Sequence, residues 1–98
     1  MRYHVGVAAT TSDFYAGQGR PIGSFPGRID LIEQFRRLGV LDFEMECATL
    51  FVISTVPNLR AGAVCAVFAD RVRNVFEEGA GEIDAARVAC EIVKILSE

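Results

Sequence analysis

The chain has 98 residues, 51% of them apolar and 23% charged, which fits one globular domain and leaves no room for a second. A net charge of −3 gives no basic footprint for nucleic acid, so a polyanion partner is excluded. A domain this small buries a modest share of its surface, so association into a homo-oligomer is expected.

Lys94 is the only lysine, and the remaining cationic side chains are arginines, whose planar fork suits directed hydrogen bonding. Cys47, Cys65 and Cys90 are odd in number, widely spaced and set in apolar stretches, the pattern of reduced, buried thiols in a cytoplasmic protein. Neither a CxxC nor a Cys/His metal spacing occurs, and no metal is expected. Thr10, Thr11, Ser12 and Asp13 interrupt the apolar start too early for a signal or a membrane span.

Val5 to Ala9, small and β-branched, reads as a buried strand; lying so near the start, it gives the sequence the look of one cut rather than begun. Thr10 to Gly27 is rich in Gly, Pro, Ser and Thr and predicts a long irregular loop, a length usually functional or disordered. Leu31, Phe35 and Leu38 stand at helical spacing within Asp30 to Leu38, and Gly39 supplies a stop. Val40 to Met45 is a brief extended segment. Glu46 to Thr55 is apolar nearly all round and predicts a buried helix ended by Pro57 and Asn58. Ala61 to Phe68 is a continuous apolar run expected as a central strand. Asp70 to Gly81 reads as a loop or lid, and Ile83 to Leu96 as an amphipathic helix. This order indicates an α/β fold with a mixed or parallel sheet flanked by helices.

Three constellations carry chemistry. In Phe14-Tyr15-Ala16-Gly17-Gln18-Gly19-Arg20 an amide and a guanidinium sit two apart between glycines that let a ligand approach the backbone. Gln18 and Arg20 can read the edge of a flat heterocycle such as uracil while Phe14 offers a face; an ordinary surface turn is the alternative. In Phe43-Glu44-Met45-Glu46, Glu44 and Glu46 share one face if the segment is extended, and a carboxylate there could accept from the cis-diol of a ribose. Asp70-Arg71-Val72-Arg73 follows the run expected as a central strand, where α/β proteins place ligands, although an acid beside arginines also makes a simple salt bridge. His4 has no sequence partner for a triad or a metal.

On four segments in order, His4-Val5-Gly6-Val7-Ala8, Phe14-Tyr15-x-Gly17-Gln18-x-Arg20, Glu44-Met45-Glu46-x-Ala48-Thr49-Leu50 and Arg60-Ala61-Gly62, the chain resembles the uridine phosphorylase type of the nucleoside phosphorylase family. The resemblance covers essentially all of residues 1–98 and implies the C-terminal portion of that family's fold, as a partial domain. It implies that Gln18 and Arg20 hold a pyrimidine base, that Phe14 lies against the nucleoside, and that Met45 and Glu46 contact the ribose with Glu44 in support. The implied reaction is reversible phosphorolysis, in which phosphate displaces the base through a cation-like sugar, with phosphate as co-substrate and no other cofactor. Arg71 then matches an arginine near the base pocket.

Two departures stand against the pattern. Asp70 occupies a position where the uridine-specific pattern has Asn and purine-specific relatives have a catalytic Asp. Gln18-x-Arg20, which purine enzymes lack, keeps uridine as the expected nucleoside. Family enzymes are also more than twice this length, and the resemblance puts the phosphate-binding glycine-rich loop and arginines outside residues 1–98. The expectation is a nucleoside half-site that turns over little or nothing alone. The alternatives are a non-catalytic nucleoside-binding or pairing subunit, a purine nucleoside phosphorylase relative, and a nucleosidase using Asp70 as its acid.

Overall fold

The structure, a computed structural model, describes residues 2–98. The chain divides into two compact units, Arg2–Arg60 and Ala61–Glu98.

In the first unit, strand β1 (Val7–Thr10) pairs in parallel with strand β2 (Val40–Glu44). Parallel neighbours need a long crossover, and here it contains a one-turn 3-10 helix, Ala16–Gln18, and helix α1, Leu31–Arg37. Phe35 of α1 meets Phe43 of β2 edge to face at 5.6 Å, which seats the helix on the strand. Gly39 ends the helix in the left-handed region, φ 78°, with its N–H on the Arg36 carbonyl, as the sequence predicts. The segment between β1 and α1 is ordered: besides the 3-10 turn it contains an antiparallel bridge between Ile22 and Phe25.

The first strand lies two residues later than expected and is not buried. A bulge between Val7 and Ala8 shifts its register, and with only two strands in the sheet Val5 and Val7 stay exposed. Helix α2 (Cys47–Thr55) forms where the apolar run predicts it, yet Leu50, Phe51, Val52 and Ile53 are exposed rather than buried. A helix apolar on all sides must be covered all round, whereas here its first turn is tied to the sheet through the Cys47 N–H on the Glu44 carboxylate at 2.6 Å and the Ala48 N–H on the Thr10 hydroxyl at 3.0 Å, and its apolar middle stays bare. Asn58, φ 57°, closes the helix with the Leu59 N–H on the Ser54 carbonyl and its own N–H on that of Thr55.

In the second unit, residues 61–68 form no strand, contrary to the expectation. A central strand is held by ladder bonds on its edges, and pairing begins only at strand β3 (Ala69–Asp70), antiparallel to β4 (Val75–Phe76). The stretch expected as a loop or lid, Asp70 to Gly81, therefore contains all of a small hairpin except Ala69. Helix α3 (Glu82–Ser97) follows, with Glu82 and Asp84 in its first turn and Lys94 in its last, each matching the helix dipole. The α/β class holds, with parallel and antiparallel pairing in two separate two-stranded sheets rather than one continuous sheet.

Among the described residues burial is confined to Leu31, Gln18 and Gly19, so the best-covered spot of the first unit is a polar turn laid over one leucine. The expected burial of the thiols is not met: Cys47 is half-buried, and Cys65 and Cys90 are exposed. No described helix is long and apolar enough to cross a membrane.

Candidate functional site

Thr10 and Glu44 end the two parallel strands side by side, and the Thr11 N–H donates to the Glu44 carbonyl at 2.9 Å. The carboxyl ends of parallel strands are where α/β folds gather ligand groups, because the loops leaving them converge there. Two arms depart from this edge: residues 11–20 after β1, and Met45, Glu46 and the first turn of α2 after β2.

Asp13 shapes the first arm. Its carboxylate accepts from the Tyr15 N–H at 2.7 Å and from the Gly17 N–H at 3.0 Å, and the Ser12 hydroxyl donates to it at 3.1 Å. The Gly17 and Tyr15 amides hold the Asp13 carboxyl below its usual value. This turn winds Ala16–Gln18 into the 3-10 helix and brings the Arg20 N–H onto the Tyr15 carbonyl at 2.9 Å. Gly19 then takes φ 82°, and a Cβ there would lie 2.7 Å from the Arg28 carbonyl oxygen, so only glycine lets the neck of the loop close.

Within this turn the three residues expected to hold a base come together. An Arg20 Nη1–H donates to Gln18 Oε1 at 3.0 Å and also to the Phe14 carbonyl. The guanidinium carbon lies 4.0 Å above the centre of the Phe14 ring, a cation–π contact. Gln18 is buried, and its Nε2–H donates to Thr11 Oγ1 at 3.2 Å. Phe14 itself is half exposed and meets Tyr15 edge-on at 5.6 Å.

In the second arm, one Glu44 carboxylate oxygen accepts from the Thr10 hydroxyl, and the other accepts the N–H groups of Glu46 at 2.7 Å and Cys47 at 2.6 Å. Glu44 thus caps the entry to α2. Desolvation pushes its carboxyl up, but the bonds from Thr10, Cys47 and Glu46 outweigh it and hold the group down at about 2. The Glu46 side chain stands exposed, with the Met45 N–H on its Oε2 at 3.3 Å, and Met45 is exposed beside it. The two arms are therefore joined through Thr10 and Thr11: Gln18 bonds Thr11, Thr11 bonds the Glu44 backbone, and Thr10 bonds the Glu44 side chain.

Asp70 belongs to the second unit, where its Oδ1 accepts from the Val72 and Arg73 N–H groups, each at 3.0 Å. Its Oδ2 lies 3.6 Å from Arg73 Nε. These are the bonds of a tight turn across the β3–β4 hairpin, with Arg71 half-buried at its start. Sequence reasoning missed Thr10, Thr11 and Asp13. The run Thr-Thr-Ser-Asp directly after a strand was the available signal, since these residues bond their own turns.

The family model described as Phosphorylase superfamily matches residues 1–98. The chain is 52% identical to the uridine phosphorylase of Thermococcus kodakarensis over 101 residues, covering all of this chain and 36% of that protein. It is 38% identical to the uridine phosphorylase of Escherichia coli over 77 residues, 71% of this chain and 29% of that one. It is 33% identical to the uridine phosphorylase of Treponema pallidum over 105 residues, 98% of this chain and 39% of that one. The chain thus spans about a third of the length of the curated relatives it matches. No solved structure matches it significantly. The resemblance to the uridine phosphorylase type is borne out by these matches.

Proposed function

We propose that this chain, which belongs to the Phosphorylase superfamily over residues 1–98, carries the nucleoside-holding half of a site for phosphorolysis of a pyrimidine nucleoside, uridine first among them. The observation that carries the reading is the linkage of the two arms: Gln18 and Arg20 on one side and Met45 and Glu46 on the other hang from the adjoining ends of β1 and β2. The relatives named uridine phosphorylases supply the substrate class.

Phe14 then lies along the nucleoside, and Gln18 with Arg20 grips the base edge. Met45 packs against the sugar, and Glu46, whose carboxylate is exposed, accepts from the ribose hydroxyls; Glu44 supports both by fixing the entry to α2. When the bond from C1′ to the base breaks, negative charge moves onto the base, and the Arg20 guanidinium and Gln18 amide stabilise it as it forms. Phosphate, which attacks C1′ as the base leaves, is held by groups beyond residues 1–98, so the chain alone binds nucleoside with little or no turnover. Exposed apolar residues of α2, Phe51 and Ile53 among them, favour a homo-oligomeric working form.

A nucleosidase reading would need Asp70 to protonate the leaving base. Its Oδ1 closes the turn through the Val72 and Arg73 N–H groups, and the phosphate dependence of cleavage separates the two readings.

The test is uridine cleavage with and without phosphate, together with calorimetry of uridine on the wild type and on Arg20→Ala. Phosphate-dependent cleavage by the complete enzyme, and an affinity at least about tenfold weaker in Arg20→Ala, are expected because a charge-assisted bond and a ring contact are lost. Equal affinity in the two proteins overturns the base assignment.

A further inference from the structure

We infer that Phe14 is a positioning residue for Arg20, whose ring carries the guanidinium and steadies the edge of that group which is left for the base. The inference rests on the reading of Arg20 as the cation that meets the base.

An arginine side chain is long and rich in rotamers, and ordering it at the moment of binding costs affinity. For Arg20 much of that ordering is done by the chain itself. Its backbone follows Gly19 at φ 82°, and its own N–H donates to the Tyr15 carbonyl at 2.9 Å. At the far end of the side chain Nη1 has two hydrogens, one for Gln18 Oε1 at 3.0 Å and one for the Phe14 carbonyl. These bonds hold one corner of the guanidinium whether or not the ring is there. Among the described residues no hydrogen bond reaches Nε or Nη2, the pair that can fork onto two acceptors of a ligand. A hydrogen bond bends by roughly 30° before it weakens steeply, so two bonds at one corner leave the opposite edge free to swing.

The ring of Phe14 acts on the centre of the group instead. The guanidinium carbon lies 4.0 Å above the ring centroid, so the cation rests on the electron-rich face and a swing of the free edge costs attraction. Phe14 is braced in turn: the Tyr15 ring stands perpendicular to it with centroids 5.6 Å apart, and the Tyr15 N–H is held by Asp13 at 2.7 Å. Arg20 is half-buried, so water screens the contact only in part, while Phe14 is 45% exposed and keeps surface for the nucleoside. The two roles of Phe14 are chemically distinct. A ring that only packs against the nucleoside acts through its shape, whereas a ring that steadies Arg20 acts through its quadrupole, and only while the cation is there. Fluorine on the ring weakens the quadrupole with little change of shape.

The experiment replaces Phe14 by mono-, di- and trifluorinated phenylalanine, in the wild type and on Arg20→Ala, and measures uridine affinity by calorimetry. In the wild type affinity should fall stepwise to about threefold weaker at three fluorines, and in Arg20→Ala the series should be close to flat. NMR relaxation of the Arg20 guanidinium without nucleoside reads the hold directly, and the group should grow more mobile with each fluorine. Should the fluorinated chains fail to fold, Phe14→Tyr and Phe14→Leu replace them: Phe14→Tyr should stay near wild type, and the loss in Phe14→Leu should shrink on Arg20→Ala. Equal losses in the two backgrounds, or a guanidinium whose mobility ignores the ring, overturn the inference. Should wild type bind no uridine while the mobility still follows the ring, the nucleoside reading itself fails; the contact then stands as a structural feature and its role in holding the base falls.

Discussion

Thr10 and Glu44 face each other at the last rung of the parallel pair, and the threonine hydroxyl donates to the very carboxylate whose second oxygen caps α2. The same hydroxyl accepts the Ala48 N–H, so one side chain ties β1 to β2 and to the helix. Thr10→Val is expected to lose about 1–2 kcal/mol of stability in urea unfolding, the range for a lost cap and hydrogen bond, and Thr10→Ser much less. Equal stability of all three proteins contradicts this account of the junction.

The Glu44 carboxyl sits at about 2 in the folded chain against an ordinary 4.5. The unfolded chain therefore takes up the proton first as pH falls. The stability this group provides is complete above pH 4.5 and is lost progressively as pH drops towards about 2. Asp13, also lowered, acts in the same sense. Thermal unfolding of Glu44→Gln should show a shallower acid limb than wild type; parallel limbs would remove Glu44 as a source of the acid sensitivity.

Asp13 holds the Tyr15 and Gly17 amides and, through them, the turn that presents Gln18 and Arg20. Asp13→Ala should speed amide exchange at Tyr15 and Gly17. In the complete enzyme it should raise the KM for uridine by roughly tenfold, with a smaller change in kcat, because positioning rather than chemistry is disturbed. A fall in kcat at constant KM is the result that would argue otherwise.

Glu46 is assigned to the ribose hydroxyls. Glu46→Gln should weaken uridine roughly tenfold, since a carboxylate acceptor is exchanged for a neutral amide. Binding of 2′,3′-dideoxyuridine, which has no hydroxyls to offer, should be unaffected. If both ligands weaken equally, Glu46 acts on the fold and not on the sugar.

The bare apolar side chains of α2 should drive association. Sedimentation of the wild type is expected to show a homo-oligomer, and Phe51→Glu should shift it towards monomer, because Phe51 is 44% exposed on a helix with no charged residue along its length. A stable wild-type monomer at micromolar concentration would count against the oligomeric working form.

Much of this molecule is legible in the order of its residues. Leu31, Phe35 and the stop at Gly39 predict α1, the extended segment read over Val40 to Met45 becomes β2, and the closeness of Gln18 and Arg20 is local enough to follow from a spacing of two between glycines. Burial was not legible in the same way. The apolar run at 61–68 and the all-apolar α2 specify what those segments are suited to, a covered environment, but covering needs neighbours that local pattern does not supply.

By itself, then, the sequence determined the helices, the closeness of Phe14, Gln18 and Arg20, and the family, because these depend on residues near one another in the chain or on motifs in order. Only the tertiary structure decided how the two arms are joined. Thr10 and Thr11 lie more than thirty residues from Glu44, and parallel strand pairing alone brings them together, so that two hydroxyls with no marked character of their own become the link between the arm that carries Gln18 and Arg20 and the arm that carries Met45 and Glu46.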